Sequence, residues 1–154
     1  MTTTDPLHQP DDIRDPHPHV DLTVCGWHDQ LVEAHPESHP TASDETLVWW
    51  TPSLGPTATL MVHRFATYLR DRDEMSFAPV DLARTFGMGQ SLSRVRNALA
   101  RLERFGLVAT HGHTVYVRLT LPPLTSRQLD QLPHSLRDLS LARRSAIHTT
   151  TPPS

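Results

Sequence analysis

Arg94, Asn97, Arg101 and Arg104 follow one another at intervals of three, four and three residues. On a helix that spacing draws a single stripe. A guanidinium fork meets a phosphate, or the edge of guanine, with two parallel hydrogen bonds, and an asparagine amide can do the same for adenine. Arg96 flanks the stripe, and Ser93 stands beside its first arginine. Gln90 and Ser91 come just before, where a serine can cap a helix and the free N–H groups of the first turn attract anions. Together these groups suit recognition of a polyanion. The plainer alternative is a solvated helix face, with Glu103 pairing with nearby arginines.

Other groupings carry less chemistry. Six of the 11 histidines, His8, His17, His19, His28, His35 and His39, share the first 46 residues with the single cysteine, Cys25. A structural zinc site needs four ligands and usually more than one cysteine, so no metal is expected. No nucleophile motif, glycine-rich phosphate loop or paired carboxylates stand out. The chain is therefore read as no enzyme, with no cofactor and no small-molecule substrate evident. Trp49 and Trp50 suit a core or a strap better than a stacking platform for bases.

The composition bounds the class. With 154 residues, one small domain plus tails fits, and two full domains do not. No apolar run is long enough to span a bilayer. The start, MTTTDPLHQPDD, lacks the apolar core of a secretory signal. One cysteine suits a reducing, cytoplasmic setting. The net charge of −3 hides a division. Residues 1–50 hold ten acids against one arginine, net −9; residues 51–154 hold thirteen arginines against seven acids, net +6. All the bases are arginine.

Residues 1–46, rich in proline and polar side chains, read as a disordered acidic arm that cannot bury enough surface to offset its ordering entropy. Its one apolar patch is Val20–Val32. Such an arm is a solubilising tail, or else a tethered competitor for the arginine face. In the second case, deleting it would tighten polyanion binding.

The elements that must carry the stripe follow from periodicity. A helix over 57–71 has Ala58, Met61, Val62, Phe65 and Leu69 on one face, with His63, Arg64, Thr67 and Arg70 opposite. Leu47–Thr51 is expected to be an edge strand or strap, and Met75–Phe77 a very short strand. A second helix spans 79–86, opened by Pro79 and closed by Gly87. The third helix spans 92–105, with Leu92, Val95, Leu99, Leu102 and Phe105 as its apolar stripe and Ala98 beside them. Two β-rich runs then surround His111-Gly112-His113 as a hairpin. After Pro122-Pro123, Thr125 or Ser126 caps a short helix. A further helix covers about 134–146, and Leu136, Leu139 and Ala142 are expected to dock it.

This order resembles a winged helix-turn-helix domain over Thr57–Leu121. The resemblance is carried by DLARTFGMGQSLSRVRNALARLERFGLV, residues 81–108, followed by strand, His-Gly-His and strand. Ala83 matches the alanine that packs the second helix on the third. Gly87–Gly89 matches the turn, and Phe105-Gly106-Leu107 the step into the wing. The resemblance implies an α+β fold: a three-helix core with a small β-hairpin wing. The arm (1–46) precedes the domain (47–121), and a helical extension (122–148) and a tail (149–154) follow it. It implies a bacterial transcriptional regulator binding double-stranded DNA, with the third helix in the major groove. The expected contacts are Gln90, Ser91, Ser93, Arg94 and Asn97, with Arg96, Arg101 and Arg104 as flanking charge. At the wing tip, His111 and His113 would touch the groove or backbone, and histidine makes such contacts sensitive to pH. The alternative is a winged-helix module for protein interaction or homodimerisation, pairing through the first helix and the extension.

Overall fold

The computed structural model describes residues 20–150, of His148 and Thr150 the backbone alone. In chain order the described elements are β1 (Leu22–Trp27), α1 (Gln30–Glu33), β2 (His39–Pro40), α2 (Asp44–Trp49) and α3 (Thr51–Leu54). Next come α4 (Pro56–Tyr68), β3 (Glu74–Phe77), α5 (Pro79–Thr85), α6 (Leu92–Arg104), β4 (Val108–His111) and β5 (Thr114–Arg118). The chain then continues through β6 (Thr120–Leu121), α7 (Ser126–Asp130) and α8 (His134–Thr150). The architecture is α+β. Residues 1–19 and 151–154, and whatever the sequence suggests for them, lie outside the described residues.

Local chemistry explains the helices. Pro56 and Pro79 stand in the first turns of α4 and α5, where a missing N–H costs nothing. Ala58, Met61, Val62, Phe65 and Leu69 are all buried, as the 57–71 periodicity requires. On α5 the inward pair is Leu82 and Ala83, with Phe86 edge-on to Phe65 at 5.8 Å between ring centroids. Gly87 takes φ +69 just past the helix, a conformation that only glycine adopts freely. Ser91 caps α6, its hydroxyl accepting from the Arg94 amide at 3.3 Å. Thr125 closes a capping box on α7 with Gln128.

The first correction concerns the arm. Residues 20–46 are part of the fold. Strand β1 lies inside the four-stranded sheet, whose order is β3-β1-β5-β4. It runs parallel to β5, with Val24 beside Val115 and Gly26 beside Val117, and antiparallel to β3. The physical reason is the open edge of β5, whose backbone groups need partners. β1 supplies them and places Val24 in the core. Gly26 lies close to Leu119: a Cβ there would meet the Leu119 Cδ1 methyl at 2.9 Å, and that side chain would have to shift. Farther on, β2 pairs with β6, and the Thr41 hydroxyl donates to the Arg118 carbonyl at 2.6 Å.

Three further expectations are corrected. Leu47–Thr51 is helical, split between α2 and α3. Asp44 and Glu45 in the first turn of α2 suit its positive end, and Trp50 between the two helices is buried in the core. On α8 Leu136 is half-buried as expected, but Leu139 and Ala142 face solvent and Ser140, Arg143 and Arg144 turn towards the body. The reason is charge: Arg143 pairs with Glu45, and Arg144 pairs with Glu37 at 3.6 Å. The helix also runs to Thr150, into the stretch expected to be tail.

Candidate nucleic-acid interface

Helix α6 is positioned from three sides. Its buried stripe is Val95, Ala98 and Leu102, packed against α4 and α5. Leu92, Leu99 and Phe105 are only half-buried, so the apolar face is narrower than the sequence stripe. Glu103 does not pair with an arginine among the described residues. Its carboxylate accepts from the Thr110 amide of β4 at 3.4 Å, tying the helix to the hairpin.

The predicted residues fall into distinct groups. Arg94, Asn97, Arg101 and Arg104 line one cleft of about 740 Å³, facing Thr57 at the start of α4 and Phe86 after α5. Arg94, Asn97 and Arg104 are exposed. Arg101 is tethered: its guanidinium donates to the Ser53 carbonyl at 2.9 Å and lies 5.8 Å from the Phe105 ring centroid. Arg96 is exposed on another flank of the helix and borders a different recess. Gln90 and Ser93 are exposed at the entry to α6, and the hydroxyls of Ser91 and Ser93 are 3.1 Å apart. His111 and His113 are exposed around the β4–β5 turn.

Four arginines outside α6 are neutralised, whereas Arg64, Arg70, Arg72, Arg84 and Arg127 form no ion pair among the described residues. Arg118 donates to Asp29 at 2.8 Å and to the Gly106 carbonyl at 2.7 Å, and stacks 3.9 Å from the Trp27 ring centroid. The hydrogen bond from Arg118 holds the Asp29 carboxyl below the ordinary carboxylate range. Arg137, Arg143 and Arg144 pair with Asp130, Glu45 and Glu37. Three acids of the segment read as an arm thus neutralise arginines of β5 and α8. None of the four arginines of α6 forms an ion pair with another described residue.

Sequence reasoning had no means of finding Thr57, Phe86 and Ser53, which build the far wall of the cleft or hold Arg101. Ser53 is 48 residues from Arg101, and Thr57 and Phe86 belong to other elements, so no local pattern marks them. The thiol of Cys25 is pushed up by burial and by Glu74, which disfavours the reactive thiolate. Among the described residues no three His, Cys, Asp or Glu side chains are grouped to hold a metal ion, and no helix is long and apolar enough to cross a membrane. No protein-family model, curated protein or solved structure matches the chain.

Proposed function

We propose that this chain binds double-stranded DNA as a variant winged helix-turn-helix protein and regulates transcription in a bacterial cytoplasm. The carrying observation is that one helix, α6, gathers four arginines, none of which has an acidic partner among the described residues. A 13-residue helix with one positive, solvent-facing stripe has the width and charge to enter a major groove. In this reading Gln90, Ser91, Ser93, Arg94 and Asn97 meet base edges and the nearest phosphates. Arg101 and Arg104 meet backbone farther along, and the β4–β5 turn with His111 and His113 is the wing. The parallel strand β1, inserted between β3 and β5, is the departure from the plain pattern.

Selection from a random duplex library, followed by anisotropy titrations at several salt concentrations, tests the reading. An enriched motif is expected, with affinity falling as salt rises by about 0.9 log units per phosphate contact for each tenfold change. Arg94→Ala is expected to relax sequence preference. Arg104→Ala should weaken all duplexes alike and reduce the salt slope by about 1. Salt-insensitive or undetectable binding to both random and enriched duplexes overturns the proposal. It would favour the second reading, a module pairing with another protein or its own copy. Leu139 and Leu141, more than half exposed on α8, support that alternative.

A further inference from the structure

The side of α6 away from the arginine cleft borders a second recess. Leu92, Arg96, Leu99 and Glu103 recur every three or four residues and so form one ridge along the helix. Across from this ridge stand Val20 and Leu22 at the start of β1, and the β4–β5 turn at Gly112 and His113. The space between measures about 710 Å³, within the range of small-molecule sites. Leu82 and Val95, both core residues, reach its floor. The walls are mainly apolar, and Val20 on the rim is 54% exposed.

One charge in this recess is uncommitted. Arg96 is exposed, forms no ion pair among the described residues, and sits on the ridge between two leucines. Glu103 lies seven residues on, about 10 Å along the helix axis, and its carboxylate is engaged by the Thr110 amide. A ligand anion is therefore attracted to the Arg96 end and repelled from the Glu103 end. His113 adds a ring nitrogen on the opposite rim.

We propose that this recess binds a small amphiphilic carboxylic acid, its apolar tail against Leu22, Leu92 and Leu99 and its carboxylate on Arg96. Apolar walls supply the area and one guanidinium fixes the orientation, the division of labour usual in small-molecule sites. The arginine cleft opens on a different flank of α6, although the His113 rim of the recess belongs to the turn that the duplex reading uses as its wing. Arg96 is thereby assigned to the recess and not to the polyanion stripe.

The test titrates the full chain with octanoate and, as an uncharged match, with 1-octanol, followed by calorimetry and amide NMR shifts. Saturable one-to-one octanoate binding is expected, with shifts centred on Leu99 and Gly112. Arg96→Gln is expected to weaken octanoate about tenfold, the loss of roughly one charge-assisted hydrogen bond, and to leave octanol unchanged. Thr110→Trp, an exposed strand position on the rim where an aromatic is well tolerated, should block both. The assignment is overturned by absence of saturable binding or by shifts remote from the recess. Undiminished octanoate binding in Thr110→Trp, or in Arg96→Gln, overturns it as well. Should Thr110→Trp unfold, the Arg96→Gln comparison still decides.

Discussion

His39 is a buried imidazole that stays uncharged for a physical reason. It is 5% exposed on β2, its Nε2 has no hydrogen-bond partner among the described residues, and its Nδ1 lies 3.8 Å from the Glu45 carboxylate. Burial lowers its pKa and Arg143 adds to this, while Glu45 opposes them. The unfolded chain therefore takes up this proton first, near the ordinary histidine value of about 6.5. Stability from this site is complete above that pH and is lost as pH falls through the depressed folded value. Denaturant midpoints measured from pH 7 down to 5 should decline, and His39→Gln should flatten the decline. An unchanged slope in the variant would show that other groups carry it. The residue scale also explains the arginines. The stripe of Arg94, Asn97, Arg101 and Arg104 is legible from spacing. That Arg101 is held by the Ser53 carbonyl, and that Arg96, flanking the stripe, borders another recess, depends on neighbours brought from elsewhere in the chain.

Among elements, β1 is the most consequential. Its residues, LTVCGW, are β-branched, small and aromatic, which was the available signal. The surrounding prolines and acids masked it, because window composition weighs the segment and not its partner. That partner is β5, about ninety residues away. Once paired, β1 offers both edges to neighbours and sends Val24, 1% exposed, into the core. Val24→Ala is expected to cost about 2 kcal/mol through lost burial and the cavity left behind, read as a lower denaturant midpoint. Deleting residues 1–46 should go further and abolish cooperative unfolding, whereas a dispensable arm would leave the transition intact. By contrast, α4, α5, α6 and the β4–β5 hairpin match their sequence reading closely. Each is specified by apolar period, cap or turn residues within its own span.

At the scale of the molecule, charge separation along the chain becomes charge pairing in space. Acids 29, 37 and 45 meet arginines 118, 144 and 143. Helix α8 is held by such pairs and by the Arg144 donation to the Leu124 carbonyl at 3.2 Å, with little apolar burial besides. Partly exposed pairs contribute little each and are screened by salt. Hydrogen exchange should therefore show α8 amides losing protection several-fold as salt rises from roughly 0.05 M to roughly 1 M, with α4 and α6 core amides unaffected. Glu37→Gln combined with Glu45→Gln should reproduce the effect at low salt. Equal protection at both salts would mean that apolar packing holds the helix.

The sequence by itself determined α4 to α8, the hairpin and the spacing of the arginine stripe, because period, caps and turns are written within a dozen residues. Tertiary structure alone decided that residues 20–46 belong to the fold, which arginines are neutralised, and that α6 borders a basic cleft on one flank and an apolar recess on another. Those outcomes depend on strand edges and counter-charges far apart in the chain, and local patterns carry no record of where a distant partner will lie.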